Sequence, residues 1–146
     1  MTEIGFYHLT RSTLEQALPR LLGRVLSLSE RAQVLCASPE RMKSLDDALW
    51  ICPDPDWLPH GTRDPADQPI FLTTQDTPPA NGAKHLFLTE GAESMHLRDF
   101  TRAFDLFDGG DDKAVAAARV RWKAAKEAGH VLTYWQQTER GWEKKA

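Results

Sequence analysis

The chain has 146 residues, of which 41% are hydrophobic and 27% are charged, and its formal net charge is −3. This composition is typical of a soluble globular domain and excludes a disordered chain. No apolar run approaches the roughly 18 residues of a membrane-spanning helix, and no signal peptide is visible at the start. The negative charge argues against a surface that grips DNA over its whole extent, because phosphate binding needs concentrated positive charge. We therefore expect a cytoplasmic protein in which residues 1–146 form one domain.

A strand and a helix are predicted at the start of the chain. Residues 4–9 (IGFYHL) favour a strand of mixed burial. Ser12 and Glu15 have the spacing of a capping box, which predicts the start of a helix. Apolar side chains then recur at helical spacing, at Leu14, Leu18, Leu21, Leu22 and Val25. Pro19 lies inside this pattern and is expected to kink the helix or interrupt its hydrogen bonding.

A second strand and helix follow. Residues 33–37 (QVLCA) are a short apolar run and predict a buried strand. Ser38 followed by Pro39 combines a cap with a proline at the first helical position, which strongly favours a helix start. The inner face of this helix is predicted to consist of Met42, Leu45, Ala48 and Leu49. Trp50 projects to the flank of that face.

The middle of the chain is richer in turns. Residues 52–68 contain many Pro, Asp and Gly residues and predict a long loop, a kind of segment that tends to be functional in compact domains. Trp57, Leu58 and Pro59 are apolar residues inside this loop, and they either pack on the body of the protein or face a partner. Cys36 and Cys52 lack the spacing of a metal site and are expected to be reduced thiols.

The next segments predict two strands, a turn and a helix. Residues 70–73 and 85–89 favour strands, with a turn between them at residues 76–82. Apolar residues then repeat at intervals of three and four, which predicts a helix containing Leu97, Phe100, Phe104 and Phe107. Gly109 and Gly110 end this predicted helix.

The clearest predicted element is a long helix capped by Asp111 or Asp112 and ended by Gly129, with a last strand at residues 130–135. At about 100° per residue, one face carries small side chains that could lie close against a sheet, namely Ala117, Val120, Ala124 and Ala128. The opposite face places a tryptophan among three cations, namely Arg119, Trp122, Lys123 and Lys126. This arrangement suits a partner that carries an apolar group and carboxylates close together. The alternative is a solvated helix face whose tryptophan folds onto neighbouring elements.

Strands that alternate with helices predict an α/β fold, a three-layer sandwich with a mostly parallel sheet. The pattern is like that of nucleotide-binding proteins, but neither GxxxxGK[ST] nor GxGxxG follows the first strand. The five histidines show no metal-ligand spacing, and no catalytic motif is recognisable. The sequence therefore predicts no catalytic residue, no metal site and no cofactor.

Four segments resemble the chi subunit family of bacterial DNA polymerase III. They are AARVRWKAAKEAGHVLTYWQQTERGWEKKA at residues 117–146, SLDDALW at 44–50, WLPHG at 57–61 and FDLFDG at 104–109. The start of the chain, FYHL, is similar too. The resemblance therefore covers nearly the whole chain, in order.

The resemblance implies a non-catalytic accessory subunit of the clamp-loader complex in DNA replication. Such subunits bind the acidic C-terminal tail of single-stranded-DNA-binding protein, which ends in Asp-Asp-Ile-Pro-Phe in many bacteria. The family's tail-binding motif matches Arg119, Trp122 and Lys123. By charge, Lys126 and Arg121 on the same helix are expected to steer the upstream aspartates. The aromatic residue is often tyrosine in the family, so Trp122 keeps the ring and loses the hydroxyl.

The resemblance also implies a link to the psi subunit of the clamp loader, where that subunit is present. The implied psi-binding residues are Trp50, Trp57, Leu58 and Pro59. DNA would then be contacted only indirectly, and no membrane is involved. Two alternatives remain: direct binding of single-stranded nucleic acid, with Trp122, Trp135 and Trp142 as stacking platforms, and a small α/β enzyme with an unrecognised site.

Overall fold

The computed structural model describes residues 2–52 and 58–146. Its elements in chain order are β1 (Glu3–Leu9), α1 (Leu14–Ser27), β2 (Ala32–Leu35), α2 (Pro39–Ile51), β3 (His60–Gly61), β4 (Ile70–Thr73), β5 (His85–Thr89), β6 (Arg102–Asp108), α3 (Asp112–Glu127), β7 (Val131–Thr138) and β8 (Gly141–Lys144). Short 3₁₀ turns lie at Pro65–Asp67 and Leu97–Asp99. The described part of the predicted loop at residues 52–68 therefore contains a short strand and a turn.

The strands form one eight-stranded sheet in the order β3-β4-β2-β5-β6-β1-β7-β8. Every pairing is parallel except that of β7 with β8. Apolar residues of α1 and α2 pack on one face of the sheet. Residues of α3 pack on the other face. The predicted three-layer sandwich with a mostly parallel sheet is confirmed.

The start of α1 lies one residue later than the sequence predicts. Thr13 and Gln16 form the capping box: the Thr13 hydroxyl accepts from the Gln16 N–H at 3.3 Å, and the Gln16 side chain accepts from the Thr13 N–H at 3.0 Å. The predicted pair of Ser12 and Glu15 is wrong, because the Ser12 hydroxyl instead accepts from the Gln137 side-chain amide at 2.7 Å. α1 continues through Pro19, so the proline removes one intrahelical hydrogen bond without ending the helix.

The predicted helix around the phenylalanines is wrong, because residues 102–108 form strand β6. This strand lies between β5 and β1 and is parallel to both. Ala103, Leu106 and Phe107 are buried on its two faces. A strand that is buried on both faces needs no polar alternation, so a chance spacing of three and four in its apolar residues imitated a helix.

Both ends of α3 follow the predicted local chemistry. The Asp111 carboxylate accepts from the Lys113 N–H at 3.0 Å and caps the first turn. Gly129 has φ +86°, a conformation that favours glycine. Its N–H donates to the Lys126 carbonyl at 3.1 Å, and the His130 N–H donates to the Ala125 carbonyl at 3.2 Å. These two bonds form a Schellman motif, which ends the helix and turns the chain into β7.

Candidate protein-interaction surfaces

The inner face of α3 differs from the predicted one. Ala118 is 3% exposed, and Val115, Trp122 and Ala125 pack against the same apolar cluster. The predicted inner residues are all exposed, namely Ala117, Val120, Ala124 and Ala128. Alanines occur all around this helix, so its orientation is decided by the indole, whose burial removes far more apolar area from water than that of an alanine.

Trp122 is half-buried at the border between α3 and the sheet. Its ring stands edge-on to Phe6, with 5.2 Å between the centroids and 66° between the planes, and edge-on to Tyr134 at 5.9 Å and 71°. The Tyr134 hydroxyl lies 2.7 Å from Nδ1 of His8. The expectation that Trp122 lies on the face away from the core is therefore wrong. One side of the ring instead packs on Phe6 and Tyr134 of the sheet, and the rest of the ring is exposed.

Three cations lie close to Trp122 on the surface of α3. Arg119, Lys123 and Lys126 are exposed. Across residues 2–52 and 58–146, no ion pair or side-chain hydrogen bond engages any of them. Burial raises the pKa of the Tyr134 phenol, and the nearby Arg119 guanidinium opposes that rise. The structure thus brings the four predicted residues together, and we call Arg119, Trp122, Lys123 and Lys126 the α3 surface.

Arg121 does not belong to the α3 surface, contrary to its suggested steering role. Its guanidinium donates two hydrogen bonds to the Asp105 carboxylate, at 2.7 Å and 2.9 Å. The two side chains are only 10% and 4% exposed. The pKa of Asp105 is raised, because burial disfavours the carboxylate more than the Arg121 hydrogen bonds favour it. Arg121 therefore fastens α3 to β6 and is not available to a partner.

The residues predicted to face a second partner differ in their exposure to solvent. Trp50 is 60% exposed at the end of α2, and Pro59 is half-buried. Leu58 is only 2% exposed and packs in the core below α1 and α2, so its predicted contact with a partner is wrong. Trp57 lies outside the described residues. Ile51, which the sequence reasoning missed, is 81% exposed.

Trp50, Ile51 and Pro59 form what we call the α2-end patch. The Trp50 ring packs on the ring of His60, with 4.5 Å between the centroids. His60 is itself fixed, because its Nδ1 lies 2.6 Å from the Leu58 carbonyl. The last turn of α2 contains no basic residue. This patch is apolar, in contrast to the cationic α3 surface.

The edge of the sheet where nucleotide-binding folds hold phosphate is unsuited to that ligand here. β1 and β6 are neighbours, and the helices that follow them lie on opposite faces of the sheet, which defines the switch point. The Gly109 N–H donates to the Leu9 carbonyl at 2.7 Å and ties the two strand ends together. Asp108 ends β6, Asp111 caps α3 and Asp112 begins it, so three carboxylates follow β6 at this edge and would repel a phosphate.

Other kinds of site receive little support from the described residues. Among them, no group of three His, Cys, Asp or Glu side chains is placed to hold a metal ion. Burial raises the pKa of the Cys36 thiol to about 12, so this cysteine is not a ready nucleophile. None of the helices in the described part of the chain combines the length and the apolar character needed to cross a membrane.

Comparison with known families adds an independent observation. Residues 1–133 match the family described as DNA polymerase III chi subunit, HolC. A comparison with curated proteins finds no match. The matched region contains α1, α2, α3 and the strands from β1 to β6, and it ends within β7. The chain therefore belongs to the DNA polymerase III chi subunit family, whose role in DNA replication is an accessory one.

Proposed function

We propose that this chain is a cytoplasmic, non-catalytic subunit of the clamp-loader complex that binds the acidic C-terminal tail of single-stranded-DNA-binding protein. Through the psi subunit, where present, it would link that protein to the replicase. The observation that carries the proposal is the α3 surface. There, Arg119 and Lys123 are exposed cations that form no ion pair with any residue the structure describes, and they lie beside the supported ring of Trp122.

The chemistry of such a tail matches this surface group by group. Its terminal carboxylate would accept hydrogen bonds from Arg119 or Lys123, each worth about 1.5–3 kcal/mol because the partners are charged. Arginine suits the carboxylate better, since its planar fork can bind both oxygens. The terminal phenylalanine ring and the proline of the tail would pack against Trp122. Lys126, one turn along the helix from Trp122, would attract the upstream aspartates.

The support of Trp122 reduces the cost of binding. Phe6 and Tyr134 hold the ring from two sides, so little side-chain freedom remains to be lost when a peptide arrives. Among the described residues, Lys123 and Arg119 also have no side-chain partner that a peptide would need to displace. A short peptide, which buries little area, benefits most from such a prearranged site.

The test is the affinity of an acidic, Phe-terminated peptide for the wild type and for Arg119→Ala. We expect the substitution to weaken binding by about 2 kcal/mol, or about 30-fold, the magnitude of an interface hot spot. Titration calorimetry measures both affinities. Arg63→Ala, which removes an exposed arginine next to β3 at the opposite edge of the sheet, is the matched control and should bind like the wild type.

A second form of the peptide checks the role assigned to the guanidinium. Amidation of the peptide C-terminus removes the carboxylate and should weaken binding to the wild type about as much as Arg119→Ala does. The same amidation should cost little further in the variant. Equal affinities of Arg119→Ala and the wild type would refute the α3 surface as the site.

For the link to the clamp loader we propose the α2-end patch. Trp50 and Ile51 expose most of their apolar area to solvent. Covering this area with a partner would be favourable, because it removes apolar surface from water. Pro59 is half-buried and directly precedes His60, on whose ring Trp50 packs. The last turn of α2 contains no basic residue. An apolar segment of the psi subunit is the partner that we propose for it.

A further inference from the structure

A groove with a cavity volume of about 680 Å³ lies between α1 and the β7–β8 hairpin, and Ala48, Ile51 and Cys52 at the end of α2 also line it. Ile51 is shared with the α2-end patch, whereas the charged and aromatic residues of the groove have no role in the proposed function. We call this cavity the hairpin groove. Its lining includes Gln16, Arg20, Arg24, Gln137, Arg140 and Trp142. Trp142 packs on the α1 side of the sheet, whereas Trp122 packs on the α3 side. The hairpin groove and the α3 surface are therefore on opposite faces of the molecule.

The hairpin groove is a local concentration of positive charge on an acidic chain. Arg20, Arg24 and Arg140 are exposed, and no ion pair within the described chain involves them. Glu15 is the acidic residue in the lining, and it pairs with Arg41. Three free guanidiniums thus face one groove in a protein whose formal net charge is −3. Such a site selects a polyanion.

One wall of the groove is aromatic. Trp142 lines it, and its ring stands edge-on to Tyr7, with 5.0 Å between the centroids and 87° between the planes. Trp142 also packs against the core cluster below α1, which fixes the ring. Single-stranded nucleic acids bind where their bases stack on a fixed aromatic ring and their phosphates contact nearby cations. Such stacking does not depend on the base sequence.

The two walls are fastened to each other before any ligand arrives. The Gln137 side-chain oxygen accepts from the N–H groups of Arg11 and Ser12, at 2.9 Å and 3.0 Å. Its amide nitrogen donates to the Ser12 hydroxyl. These bonds join β7 to the segment that enters α1, so the arginines of α1 keep their positions relative to Trp142.

We propose that the hairpin groove binds single-stranded nucleic acid, with the arginines on phosphates and Trp142 against a base. Arg20 and Arg24 are four residues apart on α1, so they repeat along the helix at about 6 Å. This interval resembles the distance between successive phosphates in an extended strand. Arg140 lies on the opposite wall. The family match covers residues 1–133 and does not include Arg140 and Trp142.

The first experiment measures the binding of the full chain to a fluorescent oligothymidylate of about 16 nucleotides, a length at the upper end of known single-strand site sizes. The variant is Arg20→Gln with Arg140→Gln. We expect it to bind about tenfold more weakly at low salt. The slope of log affinity against log salt should decrease in magnitude by about 1.4, since each phosphate contact to a single strand contributes about 0.7.

A matched control removes the same charge elsewhere. Arg63→Gln with Lys84→Gln neutralises two exposed cations away from the groove and should bind the oligonucleotide like the wild type. Lys123→Ala, in the α3 surface, should also leave it unchanged. Trp142→Phe should weaken binding severalfold while the salt slope stays constant, because stacking releases no counterions.

Three results would overturn the proposal. The first is an oligonucleotide affinity that the groove variant leaves unchanged. The second is an equal loss in the matched control, which would indicate attraction to the overall charge. The third is a groove variant that loses binding to an acidic peptide lacking a terminal phenylalanine while the oligonucleotide affinity is retained, which would make the groove a peptide site.

Discussion

Trp122 and Trp50 both lie on surfaces that we propose to bind proteins, but the molecule holds them in different ways. Trp122 is half-buried against Phe6 and Tyr134, and the cations beside it form no ion pair within the described part of the chain. Trp50 is 60% exposed, packs on the ring of His60, and lies in a helix end without a basic residue. Trp122 is therefore part of the protein's own packing, whereas most of the Trp50 ring is exposed and could be covered by a partner.

This difference predicts two kinds of recognition. A fixed ring among cations binds a small charged group at low entropic cost, and its affinity depends on electrostatics. An exposed apolar patch gains affinity by the area that a partner covers, and salt affects that gain little. The α3 surface therefore suits a short acidic terminus, and the α2-end patch suits an apolar segment of a folded or folding partner.

The largest effect is expected where the α3 surface is fastened to the sheet. Asp105→Ala leaves the Arg121 guanidinium buried without its partner, and this should lower the free energy of unfolding by about 3 kcal/mol. Urea denaturation measures the change. The control is Glu3→Ala, which breaks the exposed pair with Arg102 and should cost less than about 1 kcal/mol.

A double variant separates the two explanations of such a loss. Asp105→Leu with Arg121→Met replaces the buried pair by apolar side chains and should recover most of the stability. If Asp105→Ala proved no more costly than Glu3→Ala, the buried pair would not be what holds α3 in place.

The next effect compares the two tryptophans directly. Trp122→Ala should lower the free energy of unfolding by about 2 kcal/mol, because the ring is half-buried and makes two aromatic contacts. Trp50→Ala should change it by no more than about 0.5 kcal/mol, as is usual for an exposed side chain. Thermal or urea unfolding of both variants gives the comparison. Equal losses of unfolding free energy in the two variants would show that Trp122 and Trp50 contribute equally to the packing of the protein.

The sequence predicts local features of this fold well. The cap at Asp111, the stop at Gly129 and the start at Ser38 depend on residues within one turn, so their chemistry is visible in the sequence. The neighbourhood of Arg119 and Trp122 is local too, because it follows from helical spacing. These features needed no knowledge of the rest of the molecule.

Features that depend on distant segments were not predictable in the same way. Arg121 lies on the same helix as Arg119, yet its partner Asp105 is 16 residues away on β6. The phenylalanines of β6 have a spacing that imitates a helix, so the sequence does not predict this strand. The ion pair between Asp105 on β6 and Arg121 is therefore not predictable either. The burial of Leu58 likewise depends on α1 and α2 packing over the loop. The orientation of a helix with alanines on every side is decided by the sheet, through Phe6 and Tyr134.

The smallest effect concerns salt, and it tests the comparison between the surfaces most directly. Between about 0.1 M and 1 M salt the screening length falls from about 10 Å to about 3 Å. We expect the acidic peptide to bind the α3 surface about fivefold more weakly over this range. Binding of a purified psi subunit to the α2-end patch should change less than about twofold over the same range, since apolar burial is not screened.

Two variants assign each response to its surface. Lys126→Ala should reduce the salt dependence of peptide binding and leave the affinity at high salt nearly unchanged, because this lysine acts through longer-range attraction. Trp50→Ala with Ile51→Ser should weaken psi binding at every salt concentration and leave peptide binding unaffected. Equal salt dependence of the two interactions would mean that the cations around Trp122 take no part in recognition, since they are the feature that the α2-end patch lacks.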